Sequence, residues 1–196
     1  MAPHRCMPLV LVAIVGCAST RSLPSYHTLV TDRHASRSLE RARQYNEEGV
    51  SFALRGDASR AEGAFREALR CDPACAAAHG NLGLILQEKG RFYEAAIELT
   101  LAKRLAPAAI EPYLNLMRLY TQVGWTKEAQ REGERALTLD PAHPDVLGQL
   151  ALLSLRSGVG DARLDAWLET LAREDDGAWS AWAQRQRLTR RPETRE

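Results

Sequence analysis

No charge of one sign dominates this sequence. Across 196 residues, 26 Lys and Arg stand against 25 Asp and Glu. Residues 1–16 contain only one of those charges, Arg5, which leaves 25 of each sign in residues 17–196. A chain so balanced lacks the basic footprint of nucleic-acid binding. Signatures of chemistry are missing as well. There is no H-E-x-x-H, no G-x-S-x-G elbow, no glycine-rich phosphate loop and no metal-spaced cluster. Cysteine is sparse, with four residues, and Cys71 and Cys75 form a C-x-x-x-C without the second ligand pair that zinc needs. These absences argue against an enzyme, a cofactor, a metal and a small-molecule substrate. One local bias stands out: Arg185, Arg187, Arg190, Arg191 and Arg195 outnumber Glu193 and Glu196 at the C-terminus. It reads as a solvated helix face or as a contact for anionic lipid or an acidic partner.

What the chain does have is a unit of 34 residues repeated three times. Residues 42–75, 76–109 and 110–143 align without a gap, phased by Pro73, Pro107 and Pro141. Each unit has an internal break: Gly56-Asp57, Gly90-Arg91 and Gly124-Trp125. Glycine followed by a turn or polar residue ends one helix and lets the next begin. Proline then ends the unit, since it cannot continue the helix before it. Each unit therefore predicts helix, tight turn, helix. Such a unit cannot bury its apolar face alone and stacks on its neighbours.

Tyr45, Gly49, Ala61, Phe65, Ala68 and Pro73 of the first unit, with Gly83, Ala95, Leu99, Ala102 and Pro107 of the second, carry a resemblance to the tetratricopeptide repeat (TPR). The family's marks are a bulky fourth residue, a small eighth, alanine at the twentieth and twenty-seventh, a bulky twenty-fourth and proline at the thirty-second. His79 occupies the bulky fourth place of the second unit. The resemblance implies an all-α fold, a right-handed superhelical solenoid of antiparallel helix pairs.

In an antiparallel pair, small residues face large ones. Gly49 is expected opposite Phe65 and Gly83 opposite Leu99. The third unit inverts the rule, with Met117 at the small place and Gly133 at the bulky one, so Met117 is expected to fill the space above Gly133. The same pairing finds a divergent fourth unit at 144–175, with Ala151 opposite Trp167, a break at Ser157-Gly158 and Arg163 in place of the usual alanine. Residues 176–196 complete the array (39–175) as a capping helix and basic tail. Trp179 and Trp182 on one face of that helix read as core packing or as an exposed aromatic contact.

The N-terminal segment is of another kind. Met7 to Val15 is apolar apart from Pro8, too short for the roughly 20 residues of a membrane-spanning helix but long enough for a secretory signal's core. Ile14-Val15-Gly16-Cys17 resembles the bacterial lipobox. That resemblance implies a signal peptide at 1–16 and a lipid on Cys17. Cleavage after Ala18 and an uncleaved anchor are the alternatives. Ala18, not being aspartate, implies sorting to the outer membrane, facing the periplasm, in a host with two membranes. Residues 17–38 then read as lipidated cysteine and tether, rich in small hydroxyl residues and without periodicity. The tether has a reach of roughly 25 Å. Of the other cysteines, Cys6 leaves with the signal. Cys71 aligns with Leu105 and Leu139 and reads as a small buried hydrophobe. A Cys71–Cys75 bridge across the turn is permitted in an oxidising compartment if the two Cα atoms come within about 7 Å.

The TPR resemblance also implies a groove, lined by the first helix of each unit, for a protein or peptide partner. Carried over by position, its residues are Arg43, Asn46, Val50, Ala53 and Leu54; Ala77, Gly80, Leu84, Gln87 and Glu88; and Glu111, Leu114, Arg118, Thr121 and Gln122. A mixture of apolar and charged residues suits a peptide groove, although some of these places also fill contacts between helices. Asn46 and Val50 stand where a clamp for a chaperone's C-terminal carboxylate would need lysine and asparagine. Signal, lipobox, tether and repeat array together resemble in architecture the pilotin lipoproteins of type IV pili, which implies a scaffold assisting pilus or secretin assembly. An adaptor for a periplasmic protease or cell-wall enzyme is the alternative, and a cell-wall enzyme the distant one.

Overall fold

The structure is a computed structural model, describing residues 31–158, 162–174 and 177–190. These residues form helices α1 (Thr31–Leu54), α2 (Ala58–Cys71), α3 (Ala76–Glu88), α4 (Phe92–Leu105), α5 (Glu111–Gln122), α6 (Thr126–Leu139), α7 (Pro144–Ser157), α8 (Ala162–Glu174) and α9 (Ala178–Arg190). No strand occurs among the described residues. The chain divides into two compact units, the first ending at Ala106 and the second beginning at Pro107. In the first, α1 pairs with α2 and α3 with α4; in the second, α5 pairs with α6, α7 with α8, and α9 packs on α8 and α7.

The breaks fall where the glycines predict them. Gly56, Gly90, Gly124 and Gly158 have φ between 70° and 82°, the left-handed conformation that costs glycine least. Asp57 caps α2, its carboxylate accepting from the Arg60 amide at 3.0 Å. At the turns between helix pairs, Asp72 and Asp140 each accept from the amide two residues on, at 3.0 and 3.1 Å. The start of α1 differs from expectation. It begins at Thr31, so residues 31–38 are helical where a tether was predicted. Apart from half-buried Ser38, the side chains from Ser36 to Arg41 are exposed. A helix without an apolar stripe shows no period in sequence. Ser38 Oγ donates to the Cys71 carbonyl, meeting an otherwise open acceptor at the end of α2.

Close approach of paired helices organises both cores. In the first unit, an ideal Cβ on Gly49 would lie 2.5 Å from the Phe65 ring, and one on Gly83 2.7 Å from Leu99. Phe65, Leu99, Ala61, Ala68, Ala95 and Ala102 are fully buried around these approaches. In the second unit, the sulfur of Met117 occupies the place where a Gly133 side chain would begin, with Leu150 beside it. The inverted pair is a contact, as its volumes suggested. Ala151 and Trp167 lie in one apolar cluster with Leu147, Leu164 and Leu168. Arg163, unusual at its place, stays on the surface, 3.1 Å from Glu134 and with its guanidinium 5.7 Å over the Trp167 ring. Trp182 is buried and Trp179 half-buried, meeting edge to face at 5.5 Å. The capping helix therefore uses both rings for packing.

One ion cluster ties the two pairs of the first unit together. Glu62 on α2 receives Arg66 at 2.8 Å, Lys89 at 2.6 Å and Arg91 at 2.7 Å. Burial pushes the Glu62 carboxyl up, but hydrogen bonds from Lys89 and Arg91 outweigh it and hold it down at about 2.

Two outcomes follow from these contacts. Met117→Ala should cost about 2–5 kcal/mol by leaving a cavity, and Gly133→Ala about 1–3 kcal/mol by overpacking. The double variant should recover much of the sum, and urea unfolding of the four proteins gives the coupling energy. For Glu62, the folded carboxyl lies below its ordinary value of 4.5. Its contribution is thus present above that value and lost as pH falls towards the folded pKa. Thermal melts should show less acid destabilisation in Glu62→Gln than in the parent over that range.

Candidate functional site

The first helices of successive pairs touch: α1 meets α3 in the first unit, while α7 meets both α5 and α9 in the second. Spacings of three, four and seven residues place Arg43, Asn46, Val50 and Leu54 along one stripe of α1. Arg43 is exposed at the outer end of this stripe, 3.7 Å from Glu40. Val50 is half-buried, and Leu54 leaves 72% of its surface uncovered. On α3, Leu84 and Gln87 are half-buried and Glu88 is exposed. The face thus offers a graded apolar strip with an acidic side chain near its end.

Asn46 behaves differently from expectation. It is buried, and its side-chain carbonyl accepts from the Asn81 amide at 3.0 Å, with Asn81 also buried. This polar pair joins α1 to α3, so Asn46 contributes to the register of the two helices. Asn81 was not among the residues expected to matter. Its only sequence signal is a polar residue amid the otherwise small and apolar run of α3.

The second unit contains a polar chain linking three first-helix positions. Asp145 on α7 accepts from Arg118 on α5 at 3.1 Å and from the Trp179 indole on α9 at 2.7 Å. Both carboxylate oxygens are used. The Trp179 ring lies directly over Gly148, in the space a side chain there would fill. Arg118 is 39% exposed and Asp145 38%, so the pair faces solvent while bridging helices. Leu114 is buried in the α5–α7 core, Glu111 is half-buried and Gln122 is exposed. Leu114 therefore packs the fold, while Arg118 is partly exposed and Gln122 exposed. Asp145, Gly148 and Trp179 were missed as a group. The signal was weak: a small residue on a first helix, and a tryptophan one repeat length beyond an aspartate.

The remaining expected residues sort as follows. Cys17 lies outside the described residues. The Cys71–Cys75 bridge is not formed, because Cys71 carries a free thiol. Cys71 is half-buried at the end of α2, whereas Cys75 is buried beyond the turn against Ala68 and Ala78. Among the described residues, no group of three or more His, Cys, Asp or Glu side chains could hold a metal ion. No described helix is long and apolar enough to cross a membrane.

No protein-family model matches the chain, and no curated protein matches it either. Solved structures do. A tetratricopeptide repeat protein from Parabacteroides merdae superposes with a TM-score of 0.65 at 24% identity, over 74% of this chain and 58% of that one. The chain thus spans under two thirds of that protein's length. PilF of Pseudomonas aeruginosa gives 0.67 at 22% identity, over 78% of this chain and 72% of PilF. The second TPR domain of human RPAP3, in complex with an HSP70 peptide, gives 0.57 at 20% identity, over 60% of this chain and 98% of the domain. The fold is therefore that of tetratricopeptide repeats, an all-α array of antiparallel helix pairs.

The buried asparagine pair yields a direct check. Asn81→Ala should leave the Asn46 carbonyl buried without its donor, costing about 1–3 kcal/mol. Replacing both by leucine should cost much less. Urea midpoints at constant slope distinguish the two outcomes.

Proposed function

We propose that this chain is a non-catalytic protein-interaction scaffold that captures an extended or helical segment of a partner on its first-helix faces. The observation carrying this reading is the partly uncovered strip of half-buried Val50 and Leu84 with exposed Leu54. Apolar side chains beside isolated charges suit peptide recognition, the former supplying buried area and the latter register. The peptide bound to the human RPAP3 domain shows that this fold can hold one. Asn46 is committed to Asn81, so this face lacks the charged clamp that a chaperone carboxylate would require.

The finer reading joins this face to the N-terminal motif. A lipid on Cys17 would hold the scaffold at the bacterial envelope, in the outer membrane facing the periplasm. Two or more acyl chains suffice for stable anchoring. A role in secretin or pilus assembly fits that placement, and the likeness to PilF in fold supports it.

Two variants test the parts separately. Cys17→Ser should shift the protein from the membrane fraction to the soluble periplasmic fraction. Leu54→Glu should leave it at the membrane with unchanged helicity, yet reduce the yield of secretin multimers in the native host. Multimers at the parental level in both variants would contradict the secretin role, and a membrane-bound Cys17→Ser protein would contradict the lipid anchor.

A further inference from the structure

His79 sits on α3 at the fourth place of the second repeat, and both of its ring nitrogens face acceptors. Nδ1 lies 2.6 Å from the Glu98 carboxylate on α4, and Nε2 lies 3.1 Å from the carbonyl of Pro73 in the turn before α3. A neutral imidazole has one N–H and one lone pair. It can donate to only one of these partners and must turn its lone pair against the other. The imidazolium satisfies both. The site is buried, with His79 8% exposed.

The same chain contains a counterpart that needs no proton. Tyr113 holds the fourth place of the third repeat, and its hydroxyl donates to the carbonyl of Pro107 at 2.9 Å. In both cases the acceptor is the proline six residues earlier, which ends the preceding repeat. In these two repeats the fourth-place side chain is a latch from a helix to the turn that leads into it. Leu147, at that place in the fourth repeat, has no donor to offer.

We propose that His79 is a protonation-dependent latch, closing the Pro73 turn onto α3 in its cationic form and releasing it on deprotonation. The groups around it favour the cation. Glu98 faces it from α4, and Asp72 adds its negative charge from the turn. α1 and α2 bring Tyr45, Ala68 and Leu69 to the adjoining cluster, none of them a carboxylate or a cation. Burial alone would push the imidazole down, but Glu98 and the Pro73 carbonyl outweigh it and raise it above its ordinary 6.5. With a raised folded pKa, the latch's stabilisation is complete below 6.5 and is lost as pH rises through the folded value. Because α3 also carries Leu84 and Gln87, opening its first turn acts on the proposed binding face.

Nitrogen NMR of the His79 ring in the full chain, combined with amide exchange, tests this. At pH 6 both ring nitrogens should be protonated, and the titration midpoint should lie above 6.5. Protection factors of the Cys75 and His79 amides should fall as pH rises through that midpoint. Glu98→Gln should lower the midpoint, and His79→Tyr should leave turn protection independent of pH, as the Tyr113 latch is. A single neutral tautomer at pH 6, a midpoint at or below 6.5, or turn protection that ignores His79 titration would overturn the proposal.

Discussion

The whole structure depends on how closely two antiparallel helices can approach. At Gly49 and Gly83 there is no room for a side chain, because Phe65 and Leu99 fill the space completely. Interiors this dense tolerate exchanges of volume better than changes of it. The third repeat shows the point most directly. Met117 and Gly133 reverse the usual sizes, yet the contact survives because its total volume does. The constraint acts on the pair, and single positions are free to vary within it.

From that constraint follows the division between core and face. Residues on the sides of the helices that meet are consumed by packing. What remains on the first helices is a stripe with two duties. Asn46 and Arg118 illustrate them. Asn46 accepts from Asn81 and serves the register of α1 against α3. Arg118 is tied to Asp145 while still facing solvent, so its charge is held in place without being hidden. Such a tether lowers the entropy that a partner would otherwise have to overcome on binding.

Much of the fold was legible in the sequence because its determinants are local. Glycine at a left-handed turn, proline after a helix and small residues at fixed intervals can each be read without knowing what lies opposite. The pairing of Met117 with Gly133 could be read too, since repeat phase supplies the missing geometry. Other features could not. Residues 31–38 extend α1 without an apolar stripe, so no period betrays them. The Asn46–Asn81 bond and the Asp145–Trp179 bond link residues 35 and 34 positions apart. Both separations lie within one residue of the repeat length, but so does every other pair of equivalent positions, and nothing in sequence marks which of them bond. Cys71 and Cys75 mislead in the opposite way: proximity in sequence suggested a bridge, but one ends α2 and the other is buried beyond the turn.

The central claim is that the first-helix face, and not the outer surface, meets a protein partner. Site-specific photo-crosslinking in living cells tests it most directly. One probe replaces Leu54 on that face and another replaces Tyr93, which is equally prominent on α4, at 72% and 79% exposure respectively. The account predicts a discrete crosslinked protein from position 54 and none in common from position 93. The same adduct from position 93 alone, or its absence from position 54, would contradict it.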